Sequence, residues 1–73
     1  MPRWSKNAMQ DMADLINRDK ESADAVATLR NLINQWADTV ASGDKTKSFY
    51  GNGLHSGVIV TVQNGEVTHV IRG

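Results

Sequence analysis

Apolar residues follow two rhythms along the chain, and the change between them lies at Gly43. Val26, Leu29, Ile33, Trp36 and Val40 are spaced 3, 4, 3 and 4 residues apart, which is one face of a helix. Ala25, Leu32 and Ala37 widen that stripe to the breadth of a core-facing surface. Ser22 is placed to cap this helix, Asp24 to favour its positive end, and Gly43 to take the left-handed position that ends it. The pattern predicts a helix over about 22–42. Upstream, Met9, Met12, Ala13 and Ile16 recur at helical spacing behind a possible Ser5 cap, which predicts a helix over about 5–17 with Trp4 folding back on its first turn. Projecting the second stripe backwards meets Asp19 and Ser22 inside the polar run Arg18-Asp19-Lys20-Glu21-Ser22. A short turn between two helices is expected there; a single long helix with a polar gap is the alternative.

After Gly43 the period falls to two. Val58-Ile59-Val60-Thr61-Val62-Gln63 and Glu66-Val67-Thr68-His69-Val70-Ile71 flank Asn64-Gly65, the pair that supplies positive φ cheaply at both central positions of a type I′ turn. A two-residue turn implies the register Gln63 to Glu66, Val62 to Val67, Thr61 to Thr68, Val60 to His69, Ile59 to Val70 and Val58 to Ile71. One face of this hairpin then carries Val58, Val60, Val62, Val67, His69 and Ile71 towards the helices. The other carries Thr61, Gln63, Glu66 and Thr68, with Ile59 paired to Val70 at the open end. Thr46–Tyr50 can form a short first strand, joined through Gly51-Asn52-Gly53. The expectation is one α+β domain over residues 1–73, helical over 5–42 and β over 46–72. Two N-terminal helices pack on a small C-terminal antiparallel sheet of two or three strands.

Composition narrows the classes. Seventy-three residues allow one small core, near the size at which oligomerisation often helps. Cysteine is absent, so disulfides and thiolate metal clusters are excluded. No apolar run approaches the roughly 18 residues that span a bilayer, and Met1-Pro2-Arg3-Trp4-Ser5-Lys6 does not begin a signal peptide, so no membrane role and a cytoplasmic location are expected. Eight basic and eight acidic side chains cancel, which disfavours a strong electrostatic grip on nucleic acid.

Candidate chemistry is sparse. Gly51-Asn52-Gly53-Leu54-His55-Ser56-Gly57 has the look of a phosphate loop, but it leads into a strand and lacks the Lys-Ser/Thr ending, so turn chemistry accounts for its glycines. His55 and His69, with Asp44 or Glu66, match no metal-ligand spacing, and Ser56 lacks a nucleophile-elbow context. No catalytic, cofactor or metal site is therefore assigned. Lys45, Lys47, Tyr50 and Arg72 mix bases with an aromatic ring, the composition of a single-strand nucleic-acid contact. Leu32, Trp36 and Val40 on the helix, and Ile59 with Val70 on the sheet, are the apolar groups expected to form an interface.

The segment Gly57-Val58-Ile59-Val60-Thr61-Val62-Gln63-Asn64-Gly65-Glu66-Val67-Thr68-His69-Val70 resembles a family of very small uncharacterised bacterial proteins, with similar short chains in bacteriophage genomes. These have a helix, a Gly-led strand, a Gln-Asp/Asn-Gly turn and a second Val/Ile strand. The likeness covers about a fifth of the chain, with Asn64 where an acid is commoner and a longer helical half. It implies a bacterial or phage accessory protein and no activity. The expected function is a small non-enzymatic interaction protein, a phage- or mobile-element-encoded modulator or inhibitor of a host system that acts by protein–protein binding. A small nucleic-acid-binding module is the alternative. A two-fold homodimer is expected, because a small sheet leaves edges unpaired and one patch can bury itself against its copy.

Overall fold

In the computed structural model, which describes every residue except Ala41, the elements in chain order are β1 (Arg3–Trp4), α1 (Lys6–Asn17), α2 (Ala23–Ala37), β2 (Asp44–Phe49), β3 (Val58–Gln63) and β4 (Glu66–Arg72). The fold class is α+β. Both helices begin where their caps predict. The Ser5 hydroxyl accepts the Ala8 N–H at 3.0 Å, and the Ser22 hydroxyl accepts the Ala25 N–H at 3.1 Å. The polar run between them is a turn. Lys20 takes a left-handed φ of 63°, and the Arg18 and Asp19 N–H groups return to the Asp14 carbonyl.

The second helix stops five residues short of the expected 42. The Thr39 and Val40 N–H groups bond to the Trp36 and Ala37 carbonyls, tightening the last turn, and the Thr39 hydroxyl donates to the Trp36 carbonyl at 2.6 Å. A β-branched residue that bonds the backbone locally competes with helix continuation. Part of the expected helical span, Ala41, lies outside the described residues. Gly43 does adopt positive φ, but it opens β2 rather than capping the helix: its carbonyl accepts the Asn64 N–H and its N–H donates to the Asn64 side chain. With that anchor β2 begins at Asp44, two residues earlier than expected.

The sheet has four strands, not the expected two or three, ordered β1-β4-β3-β2, and it is mixed rather than antiparallel because β1 runs parallel to β4. Two-residue β1 is too short to carry a period. Trp4 sits there as a strand residue rather than folding back on α1; its indole N–H donates to Asn34 at 2.8 Å and its ring lies under Arg30. The Asn64-Gly65 turn has φ of 50° and 80°, as the I′ geometry requires.

The hairpin register holds only next to the turn. A bulge at Thr68 shifts the remainder, so Thr61 faces His69, Val60 faces Val70, Ile59 faces Ile71 and Val58 faces Arg72. Val70 therefore points into the core, while His69 and Ile71 point away from it. The cause lies on the outer edge of β4. Ser5 and Asn7 side chains donate to the Thr68 carbonyl, the Ser5 N–H donates to the Val67 carbonyl, and the Asp11 carboxylate accepts the Val70 N–H at 2.9 Å. The extra residue in β4 lets Val67 and Val70 both face inward while α1 seals the strand edge.

The core consists of Ala8, Met12 and Leu15 of α1, Val26, Leu29, Ile33 and Ala37 of α2, and Val58, Val60, Val62, Val67 and Val70 of the sheet. Met9 and Ile16, expected on the inner stripe of the first helix, are exposed; Ala8 and Leu15 occupy that face instead. Among the described residues no helix is long and apolar enough to cross a membrane.

Candidate interaction surface

Two exposed regions follow from this arrangement. The first is a groove between the C-terminal half of α2 and β2. The strand pairing puts Lys45, Lys47 and Phe49 opposite Val62, Val60 and Val58, and so on the helix-facing side of the sheet. Leu32, Trp36 and Thr39 face them across the groove, which continues past Val40 to Lys45. Trp36 and Phe49 meet edge to face with ring centroids 5.9 Å apart, and the Lys47 ammonium lies 5.7 Å from the Phe49 ring centre. Leu32, Trp36, Val40 and Phe49 are all half-buried. The groove runs beside the outer edge of β2, with which nothing pairs among the described residues.

The second region is the sheet face away from the helices. Ile59 and Ile71 stand opposite one another there, 40% and 55% exposed, so the apolar pair expected there is Ile59 with Ile71 and not Ile59 with Val70. Tyr50 and Ser48 border a hollow beside Ile59.

Charged chemistry is concentrated elsewhere, in a clasp that joins the α1–α2 turn, the β2–β3 loop and the end of β4. Glu21 is 3% exposed. Its carboxylate lies 2.8 Å from Arg72 Nη1 and 3.0 Å from His55 Nδ1, and it accepts the His55 N–H at 2.9 Å. Asp19 stands 3.6 Å from Arg72 Nε and pairs with Arg18 at 2.8 Å, and Arg72 also donates to the Ser56 hydroxyl. Burial pushes the Glu21 carboxyl up, but the His55 N–H and the Arg72 guanidinium outweigh it and hold it below the usual carboxylate range. The Arg18 hydrogen bond lowers Asp19 in the same sense.

The clasp explains the glycine-rich loop. Gly51, Asn52 and Gly53 take positive φ in sequence, and the chain turns so that the His55 N–H meets an anion, but that anion is the chain's own Glu21. His55 and Ser56 are adjacent residues bound to different clasp members, His55 to Glu21 and Ser56 to Arg72. The exposed His69 ring, on the sheet face away from the helices, lies 3.1 Å from the hydroxyl of its neighbour Thr68 and takes no part in the clasp.

The residues expected to serve nucleic acid are not gathered. Lys45 and Lys47 line the groove, Tyr50 borders the hollow on the other face, and Arg72 is committed to Glu21 and Asp19. Leu32, Trp36 and Val40 do lie together, and Phe49 joins them. Sequence reasoning missed Glu21. The only signal was its place in a polar interruption between two apolar stripes, which also describes an ordinary exposed turn. Compared with protein-family models, curated proteins and solved structures, the chain finds no match.

Proposed function

We propose that this chain is a small non-enzymatic interaction protein that binds another protein. The supporting observation is the open edge of β2 beside the half-buried Leu32, Trp36, Val40 and Phe49. Main-chain groups on a free strand edge supply affinity for a partner strand, and an apolar groove next to them supplies selectivity. The bacterial or phage accessory setting implied by residues 57–70 suits a modulator that acts by occupying a host protein. The test is affinity capture from bacterial lysate with tagged protein, before and after nuclease digestion. Protein partners retained after digestion are expected. Capture that disappears with digestion favours the nucleic-acid module instead.

A homodimer is the second reading, and Ile59 with Ile71 on the uncovered sheet face favours it. Sedimentation equilibrium tests it: a species near twice the 8.0 kDa chain mass that is lost with Ile59→Lys supports the dimer, and a clean monomer refutes it.

A further inference from the structure

The edge of β2 carries information about what pairs with it. The Asn64 N–H to Gly43 carbonyl bond sets the phase of the antiparallel ladder, so Lys45, Lys47 and Phe49 exchange main-chain bonds with β3. The backbone groups of Asp44, Thr46 and Ser48 point off the edge. An added strand would bond to these three residues, and its alternate side chains would lie beside Lys45, Lys47 and Phe49 at the mouth of the groove.

A second copy of the chain is a poor occupant. A two-fold axis that joins β2 to its own copy antiparallel runs perpendicular to the sheet and keeps both helix layers on one side, so each register centres on a single residue. Centring on Lys45 opposes Lys45 to itself, and centring on Lys47 opposes Lys47 to itself. Centring on Thr46 opposes Lys45 to Lys47 twice, and centring on Ser48, which opposes Lys47 to Phe49 and avoids a lysine pair, overlaps only three residues of each β2. Like charges directly opposite destabilise a strand pair, and lysine on an edge is a common guard against self-pairing. The acidic groups nearby do not relieve this. Asp44 points to the opposite face of the sheet, and Asp38 lies 3.7 Å from the N-terminal amine.

Resting on the interaction reading above, we propose that β2 accepts an extended acidic segment of a partner protein as an additional antiparallel strand. From its N-terminus that segment places an apolar side chain beside Phe49 and Trp36, then carboxylates two and four residues later opposite Lys47 and Lys45. Carboxylates turn the repulsion that excludes a second copy into attraction, and the apolar residue covers the exposed edge of the Trp36–Phe49 pair.

The test is an amide chemical-shift titration of the full chain with the acetylated, amidated peptide Leu-Thr-Glu-Thr-Glu-Thr. The control is the same peptide with lysine in place of both glutamates. Shifts are expected at the Asp44, Thr46 and Ser48 amides and the Trp36 indole, with about a ten-fold preference for the acidic peptide at low salt, since two exposed attractions replace two repulsions. Lys45→Glu with Lys47→Glu should reverse the preference. Thr46→Pro, which removes an N–H pointing off the sheet, should weaken binding while the rest of the amide spectrum stays folded. Equal binding of both peptides overturns the proposal, as do shifts confined to the Ile59–Ile71 face or stronger binding by a single-stranded oligonucleotide. If the acidic peptide fails while lysate capture after nuclease digestion succeeds, this proposal falls and the interaction reading stands. If both fail, both fall.

Discussion

Removing the Glu21 carboxylate tests whether the clasp holds the molecule closed. Glu21→Ala takes away the acceptor of the His55 N–H and leaves the Arg72 cation without its nearest carboxylate. Breaking a buried ion pair costs about 3–5 kcal/mol. The Arg72 side chain is a quarter exposed and keeps Asp19 at 3.6 Å, so water and a second carboxylate recover part of the loss. The lower end, about 3 kcal/mol, is therefore expected. A chain of this length has a total stability of about 4–11 kcal/mol, so the loss is a quarter or more of the whole. The effect depends on pH with a definite sign. The folded-state pKa of Glu21 lies below its ordinary value of 4.5, so its contribution is fully present above that value and fades as pH falls through the lower, folded value. Asp19 acts in the same direction, so some acid sensitivity survives in the variant. Urea titration followed by tryptophan fluorescence, from neutral pH down to acid, reads both quantities. The wild type should lose stability steeply below the ordinary carboxylate range, and Glu21→Gln should flatten that slope. An unchanged urea midpoint for Glu21→Ala at neutral pH, or wild-type acid sensitivity in Glu21→Gln, would refute the reasoning.

Leu29→Ala and Ile33→Ala should each cost about 2–5 kcal/mol, read from urea midpoints, because both side chains are buried among sheet valines; half-buried Trp36→Ala should cost less than either. Asp11→Ala removes the carboxylate that receives the Val70 N–H, so hydrogen exchange at the Val70 amide should quicken, with stability falling by about 1–3 kcal/mol; an unchanged exchange rate would mean that α1 does not seal that edge. Gly65→Ala forces a side chain into φ of 80° and should lower stability by about 1–2 kcal/mol without altering the groove, checked by thermal melting and by an unchanged Trp36 environment.

Sequence alone determined what depends on neighbouring residues. The serine caps, the two-helix division, the start of the second helix and its apolar spacing, and the I′ turn each rest on chemistry within a few positions, so a short window of sequence contains their cause. The end of that helix was not among them: expected at 42, it is found at Ala37. The register beyond the turn was different. A two-residue turn specifies pairing only until something inserts a residue, and the cause of the Thr68 bulge lies about sixty positions away, in Ser5, Asn7 and Asp11. That long-range contact turned Val70 inward and His69 and Ile71 outward, which moved the exposed apolar pair from Ile59–Val70 to Ile59–Ile71. The fourth strand escaped notice because two residues have no period, and its pairing with β4 comes from opposite ends of the chain. Glu21 illustrates the same limit for charge. Beside Lys20 and Ser22 it reads as a solvated turn residue, and only the arrival of the β2–β3 loop and Arg72 surrounds it. Local propensities act over a few residues and are written in their order, whereas burial, register and ion pairing depend on which distant segments meet, and that was decided only when the chain closed.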